Sequence, residues 1–260
     1  MSTFSARAAI DRRLPMTRLA ALTIAEARLL MRDWTVIVFA FLFPPFTMLI
    51  LAGVFGTERD EGFAMQRPDD YYVVASIAVP IVALAVIGLP VALASYRERG
   101  VLRRFAAFGV PPSRVVAAQA LVTWALVAVG AVLVLAVAAP TYGIPSIDRP
   151  LQTALGLLAA TATLTLIGIA IGLAAPTARA AQAIGLLAFF PLYLLGGGGP
   201  PKDAMSGAMR SISDALPSAV PALTDPWLGV SGIASQLVVF AAWAAAASLA
   251  IAWLVRRVEA

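Results

Sequence analysis

The chain lacks the side chains that most enzymes use for chemistry. It contains no Cys and no His, which excludes thiol nucleophiles, disulfides, imidazole acid–base catalysis and the usual zinc ligands. Its Asp and Glu residues lie in short polar segments, outside the long apolar ones. A proton relay or an ion pathway within a membrane needs ionisable side chains there. We therefore expect no catalytic residue, no metal site and no cofactor in this chain, and an intramembrane enzyme, a proton-coupled transporter and an ion channel are disfavoured.

A run of four glycines at residues 196–199 is the feature closest to a phosphate-binding loop. Such a loop needs a Lys and a Ser or Thr after the glycines, at the start of a helix. Here Pro200 and Pro201 follow instead, so the run predicts the end of a helix. Because no P-loop occurs elsewhere in the sequence, any ATP and Mg used in active transport must be bound by another polypeptide.

Six long segments carry no Asp, Glu, Lys or Arg, in a chain that is 61% hydrophobic and only 13% charged. At 1.5 Å rise per residue, each is long enough, or nearly so, to cross a hydrocarbon core of about 30 Å. In lipid the backbone must satisfy its own hydrogen bonds, so each segment is predicted to be a helix. The sequence thus predicts an all-α integral membrane protein with one six-helix domain over residues 34–255. The segments are residues 34–55, 71–95, 115–139, 151–175, 180–196 and 232–255.

The charges between these segments alternate in sign along the chain. Arginines are concentrated before the first segment, between the second and third, and after the sixth, whereas the alternate gaps are rich in Asp and Glu. Arginine-rich segments stay on the cytoplasmic side of a membrane. We therefore expect both termini, including a tail over residues 256–260, in the cytoplasm. The net charge of +5 then reflects topology, and binding to nucleic acid is not expected.

Two regions outside the spans have an amphipathic character. Between residues 15 and 32 leucines recur at helical spacing opposite arginines, which predicts an interfacial helix against lipid headgroups within a cytoplasmic N-terminus of residues 1–33. The alternative is a basic flank that only orients the first span. Residues 197–231 are too polar to span and too apolar to be a solvated loop, and they are predicted to form short helices that re-enter the outer leaflet. A single lysine, Lys202, among 19 basic residues is typical of a GC-rich bacterial genome, so we expect the protein in a bacterial cell membrane.

The basic segment between the second and third spans contains side chains that topology does not require. Residues 97–110 are predicted to form a cytoplasmic helix with Phe105 and Phe108 on one side and Arg99 and Arg103 on the other. A short cytoplasmic loop is commonly rich in arginine, so the charges alone have a simple explanation. Two phenylalanines on a short basic helix, however, fit a surface that binds a partner protein.

The order Arg-Glu-x-Gly-x-Leu-Arg-Arg in this segment, followed by Pro, small residues and Arg, resembles the type-2 permeases of ATP-binding-cassette (ABC) exporters. The resemblance covers almost the whole chain, although Gly198-Gly199-Pro200 stands where family members often have Phe-Phe-Pro, which puts an aromatic outer gate in doubt. It implies a permease subunit, not itself an enzyme, that forms a homodimer and binds two ABC ATPase subunits through this helix. The expected coupling residues are Arg97, Glu98, Arg99, Gly100, Leu102, Arg103, Arg104, Phe105 and Phe108.

The function implied by this resemblance is ATP-driven export of an amphipathic or lipid-like substrate, such as a drug, an antibiotic or a lipid-linked glycan. The substrate would leave the cytoplasm or the inner leaflet along an apolar path, although each aromatic residue assigned to that path is equally suited to face lipid. The alternative is a membrane scaffold or assembly protein that docks a cytoplasmic partner without transport. The residues expected to line the path are Phe39, Phe43, Phe46, Phe189, Phe190 and Tyr193.

Overall fold

The computed structural model describes residues 34–259, and the N-terminal segment of residues 1–33, with its predicted interfacial helix, lies outside them. Within the described residues the chain is helical and has no strand, and six helices are long and apolar enough to cross a membrane. The predicted all-α membrane fold is thereby confirmed. The side of the membrane on which each end lies stays a prediction from the arginine distribution.

Nine helices of more than one turn follow one another along residues 34–259, six of them long and three short. A single α-helical turn, Trp34–Ile37, leads into the first of them. They are α1 (Val38–Phe55), α2 (Pro68–Glu98), α3 (Val101–Ala107), α4 (Pro112–Thr141), α5 (Pro150–Ala174), α6 (Ala178–Gly198), α7 (Gly207–Ala215), α8 (Ala219–Trp227) and α9 (Ala234–Glu259).

The second helix, α2, is the centre of the bundle. In its most apolar stretch 89% of the residues are buried, compared with 28% in α1 and 11% in α9. With 31 residues it is about 46 Å long at 1.5 Å per residue, which exceeds the hydrocarbon core. Its ends therefore extend past the predicted segment of residues 71–95 and carry charged residues, Asp69 and Asp70 at one end and Arg97 and Glu98 at the other.

Within α2 a π-helical turn, Leu84–Gly88, immediately precedes Pro90. The N–H of Leu89 donates to the carbonyl of Leu84, five residues back, and therefore not to that of Ala85. Pro90 has no N–H to donate to Val86. The carbonyls of Ala85 and Val86 consequently lack the donors that a regular α-helix would supply.

Two glycines from neighbouring helices close on these two carbonyls. A Cβ atom on Gly168 of α5 would lie 1.9 Å from the Ala85 oxygen, and one on Gly185 of α6 would lie 2.2 Å from the Val86 oxygen. Only glycine allows backbones to approach so closely, and Cα–H groups then face the carbonyl oxygens. The two carbonyls of α2 that lack helical donors are thus covered by α5 and α6. These close contacts fix the three helices relative to one another.

The segment after α6 folds into the two short helices α7 and α8. Almost every residue of α8 is buried, and the helix packs against α2 and α5. A Cβ atom on Gly156 of α5 would lie 2.1 Å from the carbonyl oxygen of Ala222 in α8. By contrast, α7 is exposed except at Ser213. The predicted short helices are present, and their depth in the outer leaflet stays a prediction.

The glycine contact between α5 and α2 can be tested by its effect on thermal stability. In Gly168→Ala the added methyl group meets the Ala85 carbonyl, so α5 must move away from α2. Overpacking of this kind costs about 1–3 kcal/mol, and we expect a lower midpoint of thermal unfolding for the detergent-purified protein. Gly207→Ala in α7, where the new Cβ has no neighbour within 4 Å, is the control and should unfold at the wild-type temperature. Equal midpoints for the two variants would contradict this packing.

The topology can be tested with single cysteines because the chain has none of its own. We expect cysteines at the exposed positions Glu61, Ser146 and Ser206 to react with a membrane-impermeant thiol reagent in intact cells. Cysteines at Ala107 and Arg179, also exposed, should react only after the cells are opened, because the arginine distribution puts them inside. Labelling of the Ala107 cysteine in intact cells would reverse the assigned orientation.

Candidate functional site

Residues 97–110 form the last turn of α2, a bend and α3, where the sequence predicts a single helix. Arg97 and Glu98 belong to α2, and α3 begins at Val101. Between them Gly100 adopts a left-handed conformation with φ of +67°, which glycine reaches without the steric cost of a Cβ atom. The bend separates the predicted coupling residues into two groups with different surroundings.

The first group, on α3 and just after it, faces away from the bundle. None of the residues of α3 is buried, and Phe108, which follows the helix, is 82% exposed. A phenylalanine this exposed buries little of its side chain within this chain, and apolar residues grouped at a surface mark contacts with another protein or with a membrane. Leu102 and Phe105 are half-buried, whereas Arg99, Arg103 and Arg104 are exposed.

The second group consists of Arg97 and Glu98, whose side chains turn toward α5 and α6. The guanidinium of Arg97 donates from Nη1 to the carbonyls of Gly172 at 3.1 Å and Ala175 at 3.2 Å, and also to that of Leu173. These carbonyls lie at the end of α5, where a helix has no further N–H donors and carries partial negative charge. Arg97 therefore caps the C-terminus of α5.

Glu98 makes the complementary contact with the start of α6. Its carboxylate accepts a hydrogen bond of 3.0 Å from the N–H of Ala178, the first residue of that helix. Beside it the hydroxyl of Thr177 accepts from the N–H of Ala180 at 3.1 Å. The first N–H groups of a helix are unpaired and carry partial positive charge, which a carboxylate stabilises.

Two consecutive residues of α2 thus hold both sides of the turn that joins α5 to α6. We term this arrangement the inner clamp, consisting of Arg97, Glu98 and residues 172–178. Each charge has the sign that the helix end beside it favours, an effect of about 0.3–1 kcal/mol per charge at an exposed helix end. The sequence pattern predicts one surface for Arg97, Glu98 and Phe108, whereas in the structure the clamp separates Arg97 and Glu98 from Phe108. Its partners lie 75 to 80 residues along the chain, so no local pattern could reveal them.

The aromatic residues predicted to line a substrate path mostly meet in one cluster between α1 and α6. Their ring centroids are 5.5–6.3 Å apart, at mostly tilted or edge-on angles. In this conformation the centre of the cluster is buried, so it is a packed contact between the two helices, and a role in substrate passage stays a prediction. The cluster contains Phe39, Phe43, Phe189, Phe190 and Tyr193, whereas Phe46 is 57% exposed on α1.

The opposite end of the bundle is closed around the glycine run that ends α6. The hydroxyls of Tyr71 and Tyr72, on α2, donate to the carbonyls of Gly197 at 2.8 Å and Gly199 at 2.9 Å. The two tyrosine rings also pack with Phe55 and Phe63, so aromatic side chains surround this end although the run itself has none. The glycines accept these hydrogen bonds through their carbonyls, as expected at the C-terminal end of a helix, where the last carbonyls have no helical donor.

Charged groups near this end of the bundle form ion pairs and hydrogen bonds within the structure. Asp69 is buried and paired with Arg67 at 2.5 Å, and this pairing raises the pKa of the Arg67 guanidinium. Asp225 accepts hydrogen bonds from Ser231 at 3.0 Å and Gln236 at 3.1 Å. Burial raises the pKa of Asp225, more than the hydrogen bond from Ser231 and the charge of Lys202 lower it. These carboxylates are therefore occupied in fixing α2 and the start of α9.

Comparison with known families gives one clear match. A family model described as ABC-2 type transporter matches residues 17–221, which is well over half of the chain and includes both the inner clamp and α3. No match is found among curated proteins or solved structures. This family consists of membrane domains that lack a nucleotide-binding domain and implies an ABC ATPase as partner. With its six apolar helices, the chain belongs to the ABC-2 type transporter family as a multi-pass membrane permease component of an ABC transporter.

Proposed function

We propose that this chain is the permease subunit of an ATP-driven exporter in a bacterial cell membrane and that α3 with Phe108 is the surface on which a separate ABC ATPase docks. The observation that carries the proposal is the exposure of Phe108 at 82%, directly after a helix that buries none of its own residues. Family membership supplies the kind of partner. The arginine distribution supports a cytoplasmic position for this surface, where an ATPase would meet it.

The chemistry of the surface suits a protein partner. Burying a phenylalanine side chain is worth about 1.5–3 kcal/mol, and interfaces commonly concentrate their binding energy in a few residues, among which aromatic side chains and arginines are enriched. Arg103 and Arg104 of α3 are exposed beside it. Their charges would steer the approach of an acidic patch on the ATPase and fix its orientation.

An amphipathic or lipid-like substrate, such as a drug, an antibiotic or a lipid-linked glycan, fits the composition of the spans. The six segments contain hydroxyl, amide and aromatic groups and no Asp, Glu, Lys or Arg. Such a substrate needs no buried counter-ion, and it could enter from the cytoplasm or the inner leaflet. In this proposal, closure of two ATPase subunits moves α3, and the movement rearranges α1, α2 and α6. Of these helices, α1 is the one placed where two permease copies meet, because α2 is buried within the single chain.

Replacing Phe108 tests the docking surface. Phe108→Ala should lower the affinity for the ABC ATPase by about 10- to 100-fold, because about 1.5–3 kcal/mol of apolar burial is lost. Affinity is measured by titrating the purified ATPase onto the permease in nanodiscs. Leu151→Ala, at an equally apolar and 72% exposed position at the other end of the bundle, is the matched control and should bind normally. Wild-type affinity for Phe108→Ala would rule out this surface.

Transport separates the exporter from a scaffold that only docks a partner. Inverted vesicles containing the permease and the ATPase should accumulate amphipathic dyes when ATP is added, and the dyes should stimulate ATP hydrolysis. Phe108→Ala should reduce both activities together. The scaffold would be favoured if the permease binds the ATPase tightly but transports no amphipathic compound, and if no such compound stimulates ATP hydrolysis.

The proposed homodimer predicts which helix faces meet. Leu42 and Phe46 of α1 are 62% and 57% exposed, and Leu249 of α9 is 73% exposed. If two copies meet through α1, single cysteines at Leu42 or Phe46 should form disulfide-linked dimers under mild oxidation in membranes. A cysteine at Leu249 should face lipid and stay monomeric. Cross-linking at Leu249 alone would place the contact on α9 instead.

A further inference from the structure

We infer that Arg97 and Glu98 are positioning residues that transmit the movement of α3 to α5 and α6 and that they do not themselves dock the ATPase. The inference rests on the proposed docking of an ATPase on α3. Its basis is the inner clamp, in which both side chains are already engaged by the same chain. Arg97 donates to carbonyls at the end of α5, and Glu98 accepts from the Ala178 N–H at the start of α6.

The clamp is the last of a series of contacts along the inner half of α2. Gly168 and Gly185 close on the carbonyls of Ala85 and Val86, and a Cβ atom on Gly172 would lie 3.1 Å from the Pro90 oxygen. Backbone contacts of this kind leave no room for sliding, since packed interiors yield little before they separate. The inner halves of α2, α5 and α6 are therefore held as one unit from the π turn of α2 to the clamp.

The bend at Gly100 connects α3 directly to this unit. The Gly100 N–H donates to the carbonyl of Arg97 at 3.1 Å, and the Gly100 carbonyl accepts from the N–H of Arg104 at 3.2 Å. A force on α3 therefore reaches the backbone at Gly100, which lies within three residues of Arg97 and Glu98. Through Glu98 it reaches the first residue of α6, a helix that continues to the glycine run at the outer end.

The two roles of Glu98 can be separated because they use different properties of the carboxylate. Capping α6 needs an oxygen that accepts a hydrogen bond from Ala178, which a glutamine also provides. Docking onto a basic patch of an ATPase would need the negative charge, which glutamine lacks. Glu98→Gln and Glu98→Ala therefore distinguish the clamp from a docking contact.

The experiment uses the complete permease–ATPase complex in nanodiscs for binding and in vesicles for transport. We expect Glu98→Ala to bind the ATPase with wild-type affinity, while the amount of dye transported per ATP hydrolysed falls by about threefold to thirtyfold. Glu98→Gln should retain most of the transport. Arg97→Met should resemble Glu98→Ala, and Arg97→Lys, which keeps a donor for the carbonyls, should be milder.

A structural readout accompanies these activities. With spin labels on cysteines at Ala107 and Arg179, the distance between α3 and the start of α6 should be the same without nucleotide and with ATP trapped on the complex. In the Glu98→Ala background the distance distribution should broaden or shift with nucleotide. This measurement needs no transport, and Glu98→Gln serves as the folded reference if Glu98→Ala is unstable.

The outcomes separate failure of this inference from failure of the docking proposal. Weak ATPase binding by both Glu98→Ala and Glu98→Gln would make Glu98 a docking residue and overturn the inference. A wild-type transport ratio with an unchanged spin-label distance in Glu98→Ala would overturn it as well. Normal ATPase binding by Phe108→Ala, in contrast, would remove the docking surface itself and leave the clamp as a purely structural feature.

Discussion

The requirement that a backbone carbonyl in a membrane be either hydrogen-bonded or closely covered determines how this bundle packs. Pro90 and the π turn before it deprive Ala85 and Val86 of their helical donors, and in lipid such groups cost several kcal/mol if left uncovered. Gly168 and Gly185 cover them at distances that no larger residue permits. The burial of α2 at the centre, with α5 and α6 against it, follows from this contact.

The same principle operates at both ends of these helices. At one end Arg97 and Glu98 satisfy the free carbonyls of α5 and the free N–H of α6. At the other end Tyr71 and Tyr72 donate to carbonyls of the glycine run that ends α6. Thus α6 is tied to α2 at its start, near its middle and at its end. By contrast, α3 buries none of its residues and Phe108 after it is exposed, which is why we assign the partner surface there and the transmission of movement to the clamp.

The sequence was sufficient for the six spans, because charge-free segments of this length must form helices in lipid, and for the glycine run as a helix end. Most of the aromatic residues of α1 and α6 that the sequence assigns to one path also lie in one cluster in the structure. It could not divide residues 97–110 correctly, because arginine-rich helical periodicity continues through Gly100 and the left-handed bend is visible only in the structure. The clamp depends on partners 75 to 80 residues away, and the packing of glycines on α2 depends on which carbonyls Pro90 leaves free. Neither can be inferred from local patterns.

The most direct test of the account is a structure of the permease bound to its ABC ATPase, determined without nucleotide and with trapped ATP. The account predicts that Phe108 and α3 are buried against the ATPase in both states and that Arg97 and Glu98 keep their hydrogen bonds to the α5–α6 turn while that turn shifts together with α3. A complex in which α3 stays exposed, or in which Arg97 and Glu98 leave the turn to bind the ATPase, would contradict it.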